Sequence, residues 1–195
     1  CISQATLSVA SNMTGGQQYG GVVGHNFNSG SVIDCIAVGA VIPDVEGRGA
    51  IVGYNYNCTL IRNYYRDCKV ASNNVTPSGV GMGTSQSGTT TSDVDGAQPL
   101  FALTLGTNVT LERTAEATLP GTNNKTYANG ADIAGVHYAY PTATVTLGYS
   151  GTVPAGQTPL YSVDGTAIWG NTFTMPTSDC TVSVEIVDGW CGSGT

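Results

Sequence analysis

Charge is what this chain has least of. Only 10% of its 195 residues are Asp, Glu, Lys or Arg, against about a quarter in ordinary globular proteins. Six cations face thirteen acids, a net charge of −7. No basic stripe exists to neutralise phosphates, which excludes a nucleic-acid partner. No apolar run approaches the ~18 residues that a membrane helix needs, and no basic segment leads into an apolar one as in a secretory leader. Membrane insertion is therefore not expected of this stretch. Histidine is scarce, His25 and His137 alone. No H-E-x-x-H, G-x-S-x-G or P-loop occurs, so zinc-peptidase, serine-hydrolase and nucleotide chemistry have no motif to stand on. The glycines of "GVGMGTSQSG" (79–88) lack a flanking strand and helix and read as a loop. The six cysteines, Cys1, Cys35, Cys58, Cys68, Cys180 and Cys191, contain no C-x-x-C pair. Their connectivity does not follow from spacing, and buried free thiols acting as small hydrophobes are an equal reading. A 3.6-residue apolar period is missing as well, which removes amphipathic helices.

What remains is Gly, 27 of them, with much Thr, Ser, Asn, Val and Ala. Short apolar runs between Gly and Asn turns predict an all-β protein. The charge is uneven. Four cations balance four acids in residues 1–92, while residues 93–195 set nine acids against Arg113 and Lys125 and carry the whole −7. Two domains are expected on that basis, 1–92 and 93–195.

The first half says one thing twice. "GGVVGHNFNSGSVIDCIAVGAVI" begins at Gly20 and "GAIVGYNYNCTLIRNYYRDCKV" at Gly49, 29 residues later. In that alignment Gly24 meets Gly53, His25 meets Tyr54, Asn26 meets Asn55 and Phe27 meets Tyr56. Further on, Val32 meets Ile61, Asp34 meets Asn63 and Cys35 meets Tyr64. Gly24 and Gly53 are expected where backbone approaches backbone or φ is positive, and Asn26 and Asn55 as turn residues. A period of this length predicts stacked coils, each too short to fold alone and each the floor of the next. "CISQATL" matches "CIAVGAV" at an offset of 34, so the chain starts in mid-coil. This predicts a fragment with further repeats of the parent chain upstream; a lipidated Cys1 is the rival reading.

These two stretches resemble the GLUG-motif repeats of large bacterial surface and secreted proteins. The resemblance covers residues 1–70 and implies a β-solenoid serving as stalk or adhesin, in an extracellular or cell-surface setting. It implies no catalytic residues. The second copy departs from the pattern at Cys58 and Thr59.

Residues 71–99 read as a long loop that partly caps the coils. "SDVDG", with Asp93, Asp95 and Gly96, has only part of a calcium-loop pattern. Strands resume at Leu100 with "LFALTL", "NVTLE", "ATVTLGY", "LYSV", "NTFTM" and "CTVSVEIV". Asp164-Gly165 marks a hairpin. In the last strand Cys180, Val182, Val184 and Ile186 share one face. A small β-sandwich, Ig-like, or a β-grasp-like sheet is expected. "TFTMPTSDCTVSVEI" (172–186) resembles the closing motif of internalin-type B repeats, which implies a tandem surface spacer. Cys180 stands there in place of an aliphatic, which leaves open a bridge to Cys191.

The two histidines sit in no motif. His25 aligns with a tyrosine, so the position reads as packing or surface. Asp34 reads as a turn residue, and Asp44 with Glu46 as a corner between coils, without the paired carboxylates of glycoside hydrolysis. No enzyme and no cofactor are expected. Aromatics are denser: Phe27, Tyr54 and Tyr56 are the candidate ligand-binding residues, because aromatic faces stack on sugar rings. The alternative is that alternate aromatics line the coil interior or a lateral ridge. Tyr138, Tyr140, Tyr149, Tyr161 and Trp169 are assigned to the second core. The resulting expectation is a non-catalytic surface or secreted module for adhesion or as a stalk. Two alternatives stay open: glycan binding by the coil aromatics, and an accessory region of a larger surface enzyme such as a peptidase. A host protein or glycan is the expected partner.

Overall fold

The computed structural model describes residues 1–8, 17–27, 30–56, 59–84, 97–118 and 122–189. All regular structure among them is β, with no helix. The chain divides into two compact units, Cys1–Leu100 and Phe101–Thr195.

In the first unit every strand pair is parallel. Ile2–Ser3, Ile36–Val38, Asn63–Arg66 and Ala97–Pro99 form one four-stranded sheet in that order. Val23–Asn26, Val52–Tyr56 and Val80–Thr84 form a second. Three two-stranded pairs complete it: Gln18–Gly20 with Gly47–Gly49, Ser31–Ile33 with Thr59–Ile61, and Val41–Ile42 with Lys69–Val70. The register confirms the repeat where the copies are most alike: Gly20 on Gly49, Val23 on Val52, His25 on Tyr54 and Asn26 on Asn55. Ile2 lies on Ile36, as the match of Cys1 to Cys35 requires.

Beyond those residues the sequence alignment slips by one. Val32 pairs with Leu60, not Ile61, and Ile36 rather than Cys35 pairs with Tyr64. The connection from Phe27 to Ser31 is one residue longer than that from Tyr56 to Thr59, so the offset falls from 29 to 28. The shift sets Asp34 beside Arg62. Both have positive φ, and the guanidinium meets both carboxylate oxygens at 2.6 and 2.7 Å. Both side chains are exposed, so the pair contributes at most about 1 kcal/mol. Asn63 faces inward. Its Oδ1 accepts from the Cys35 amide at 3.1 Å and its Nδ2 donates to the Val32 carbonyl at 2.8 Å.

Two other expectations change. Val80–Thr84 and Ala97–Pro99, read from sequence as loop, are strands that pair with Val52–Tyr56 and Asn63–Arg66. Gly81 and Gly83 are poor strand formers, and it is the neighbouring strand that organises them. Asn26 and Asn55 are not turn residues. They lie in strands, are buried, and bond to each other across the parallel pair, Nδ2 of Asn26 donating to Oδ1 of Asn55 at 2.8 Å. A buried amide needs a partner, and an identical amide one rung away supplies it. Gly53 is required by close approach: a Cβ there would lie 2.7 Å from the Gly24 carbonyl oxygen. Ala37, Ala40, Ala50, Ile51, Val52, Val80 and Ala97 pack the interior. The SDVDG segment lies outside the described residues, as does Cys58.

The second unit has an eight-stranded mixed sheet and a three-stranded antiparallel one, Val109–Leu111, Thr144–Tyr149 and Thr172–Thr174. All six strands expected from sequence form. Four more, Ala115–Thr118, Lys125–Tyr127, Gly130–Ile133 and Val136–Ala139, extend the large sheet. The sheets share one core: Leu103, Ala139, Tyr161, Cys180 and Val182 from the large, Val145 and Leu147 from the small, with Met175 beside them. Thr181 and Ser183, between Cys180, Val182 and Val184, are exposed. Asp164 and Gly165 take φ of 47° and 78° and close the expected hairpin between Gln157–Val163 and Thr166–Ala167. Trp169, expected in the core, is 96% exposed. It follows that hairpin in a loop that turns at Gly170, φ 86°. Cys1, Cys35, Cys68 and Cys180 are free thiols. Cys191 lies outside the described residues, so the suggested bridge to it is not described.

Candidate functional site

Strand alternation sorts the residues of the repeated segment to two sides. Asn26 and Asn55 point in, and His25, Phe27, Tyr54 and Tyr56 point out. Parallel register then places like beside like, giving four rings in two rows. Phe27 stacks on Tyr56 with centroids 5.2 Å apart and planes 29° apart. His25 meets Tyr54 edge-on at 4.9 Å. Along the strands, His25 and Phe27 are 5.4 Å apart, edge to face, and Tyr54 and Tyr56 lie 6.4 Å apart and within 5° of parallel.

Such pairs contribute ~0.5–1.5 kcal/mol each beyond area burial, so the rings stiffen one another. They remain accessible: Phe27 is 47% and Tyr56 46% exposed. Of the arrangements open from sequence, an outer ladder, the interior or a lateral ridge, the interior is not the one seen, since Phe27 and Tyr56 are exposed. The sequence reading also set His25 aside as packing or surface; His25 is exposed and stands in the ladder. The signal was its alignment with Tyr54.

A second cluster, which the sequence reading missed, lies in residues 101–195. Gly130–Ile133 and Val136–Ala139 form a hairpin through Ala134 and Gly135, both at positive φ. Asp132 and His137 are direct cross-strand partners there. Nδ1 of His137 lies 2.8 Å from Oδ1 of Asp132. The same oxygen accepts from Nη1 of Arg113 at 3.0 Å, and Oδ2 accepts from the Tyr127 hydroxyl at 2.7 Å. The Arg113 side chain is only 4% exposed. Its Nη2 donates to the Tyr138 carbonyl at 2.9 Å, and its guanidinium sits 4.8 Å over the Tyr127 ring. Burial lowers the pKa of Arg113 and the Asp132 charge opposes that shift. Burial, with the bond to Asp132, pushes the Tyr127 hydroxyl up to about 12. A two-residue A-G turn was the available hint, since it makes the residues flanking it partners.

Among the described residues, no group of three or more His, Cys, Asp or Glu side chains is placed to hold a metal ion. No helix among them is long and apolar enough to cross a membrane. Comparison of the chain with family models, curated proteins and solved structures returns no match.

Proposed function

We propose that residues 1–100 are a short β-solenoid of GLUG type, that residues 101–195 are a small β-sandwich, and that together they form a non-catalytic module of a bacterial surface or secreted protein. The solenoid reading is supported by parallel pairing alone in that unit, at offsets of 28, 29 and 34 residues. One rung repeats another at nearly fixed spacing, as stacked coils demand. The module's work is adhesion: a stiff stack holds a contact face away from the cell. The observation that carries this reading is the exposed, mutually stacked set of Phe27, Tyr54 and Tyr56 with His25. Flat aromatic faces held open to solvent in a fixed array suit the apolar faces of sugar rings or an apolar strip on a host protein. Buried asparagines beneath the rings fix their spacing without taking part in contact.

The test is a glycan-array and host-protein screen of the chain beside its Tyr54→Ala/Tyr56→Ala variant. Saturable binding lost in the variant, with unchanged thermal unfolding, is the expected result. A blank across both screens, or binding that survives the double substitution, overturns the adhesion role of this face.

A further inference from the structure

Val52–Tyr56 has a parallel neighbour on each side, Val23–Asn26 and Val80–Thr84. Among the described residues Val23–Asn26 has only the one. The strands before and after it in the chain, Gln18–Gly20 and Ser31–Ile33, also pair on one side only, with Gly47–Gly49 and Thr59–Ile61. The chain just beyond them differs. Ile36–Val38 lies between Ile2–Ser3 and Asn63–Arg66, and Val41 lies between Thr6 and Lys69. One part of this edge is therefore covered by parallel strand, and the part from 18 to 33 is not. An edge strand carries backbone N–H and C=O groups ready to pair with one more strand.

The side chain of Asn26 says which strand fits. Asn26 is 6% exposed. Its Nδ2 donates to Asn55 Oδ1, while its own Oδ1 accepts from no described residue. Among the described residues Arg113 Nε is the side-chain atom both unbonded and closed to solvent. Asn26 Oδ1 is unbonded but not closed, so an incoming donor reaches it. Acceptors on buried side chains are mostly paired. Asn55 shows how this one is filled: its Oδ1 takes Nδ2 of the asparagine in register on the adjacent strand.

We propose that Val23–Asn26 is a docking edge for a further parallel strand of the pattern Val-Gly-aromatic-Asn-aromatic, whose asparagine Nδ2 donates to Asn26 Oδ1. This deepens, and rests on, the reading of residues 1–100 as stacked coils. Main-chain bonds supply affinity and the asparagine supplies register, as in other strand additions. The residue after the asparagine then comes beside Phe27, as Tyr56 does from the other side. The occupant is a strand of the same repeat on another segment, not a second copy of this chain. The opposite edge of the sheet, Val80–Thr84, sets Gly83 in register with Asn55. Glycine has no amide to give, so a copy stacked head to tail would leave Asn26 Oδ1 bare.

The probe is a capped peptide with the sequence of residues 49–56, Gly-Ala-Ile-Val-Gly-Tyr-Asn-Tyr, titrated into the whole chain. Backbone amide exchange is followed by NMR. Without peptide, Val52–Tyr56 exchanges more slowly than Val23–Asn26. With peptide, exchange in Val23–Asn26 slows saturably, while Val80–Thr84 and Thr144–Tyr149 are unchanged. A peptide carrying Asn55→Gly binds about three- to tenfold more weakly, the value of one hydrogen bond, and so does one carrying Asn55→Asp, which lacks the donor. Equally fast exchange in Val52–Tyr56 and Val23–Asn26 before peptide is added overturns the stacked-coil reading and the proposal with it. Slow exchange in Val52–Tyr56 with no saturable response at Val23–Asn26, a response at Val80–Thr84 instead, or undiminished binding of the glycine peptide overturns the proposal alone. Protection of Val23–Asn26 that rises with chain concentration in the absence of peptide makes a second copy the occupant and also overturns it.

Discussion

Asn63→Ala is the substitution that most directly tests how the parallel strands of the first unit are held together. Asn63 is fully buried. Its amide links Asn63–Arg66 to the 32–35 segment, taking the Cys35 N–H at 3.1 Å and giving to the Val32 carbonyl at 2.8 Å. Alanine removes both bonds and leaves the buried Cys35 N–H without the acceptor that Asn63 supplies. A buried group left bare costs ~1–3 kcal/mol, and the vacated space adds to that. A net loss of about 3 kcal/mol is expected, a large part of the ~5–15 kcal/mol that holds a domain together. For a unit of this size that lowers Tm by roughly 10–25 °C. Urea unfolding followed by circular dichroism gives the total. Hydrogen exchange with mass spectrometry locates it, with protection falling in Val32–Val38 and Asn63–Arg66 and unchanged in Thr144–Tyr149. Asn63→Asp keeps the acceptor but buries a charge beside the Val32 carbonyl, and should be at least as damaging. A loss below about 0.5 kcal/mol for Asn63→Ala, the range of ordinary surface changes, would refute the bridging role.

Other perturbations separate the remaining interactions. Asp132→Asn strips Arg113 of its counter-charge; an uncompensated buried cation costs about 3–5 kcal/mol, read in a denaturant titration, and a change under about 1 kcal/mol contradicts the network. Cys180 is buried, which with the Asp164 and Asp179 charges raises its thiol from the ordinary 9.0 to about 11. The folded state thus favours the protonated thiol. Stability from this group is complete below pH 9 and declines as pH rises toward 11, where the unfolded chain ionises first. Cys180→Ser should flatten that part of the stability profile, and Cys180 should resist alkylation at neutral pH while exposed Cys1 reacts. Trp169→Ser should alter stability by no more than about 0.5 kcal/mol, because the side chain is 96% exposed. A larger loss would mean the indole is packed.

Local patterns carried the β character of this chain. Alternation in Cys180–Asp188 and the Asp164-Gly165 turn depend on neighbours a few residues away, so strand, face and turn could be read directly. The copies around Gly24 and Gly53 also revealed their pairing, because identical residues stack on themselves in a parallel register. Turn length is a different matter. One residue fewer between Tyr56 and Thr59 moved every later partner by one, bringing Asp34 to Arg62 and Asn63 to Cys35, and no periodicity signals a shortened connection.

Which way a side chain faces, and what lies across from it, belonged to the tertiary structure. The asparagines of the repeat have turn-forming chemistry, yet strands on either side hold them inside, where each is the other's partner. Val80–Thr84 is a strand because Val52–Tyr56 offers it an edge. Trp169 is exposed because the described residues leave its loop uncovered, although its composition suits a core. Arg113 finds Asp132 and Tyr138 only when distant strands are brought together. By itself, then, the sequence determined strands, turns and a repeat, since those arise from short-range sterics and side-chain period. Register, burial and the charge network came only with the fold, because each depends on groups that the chain brings together from far apart.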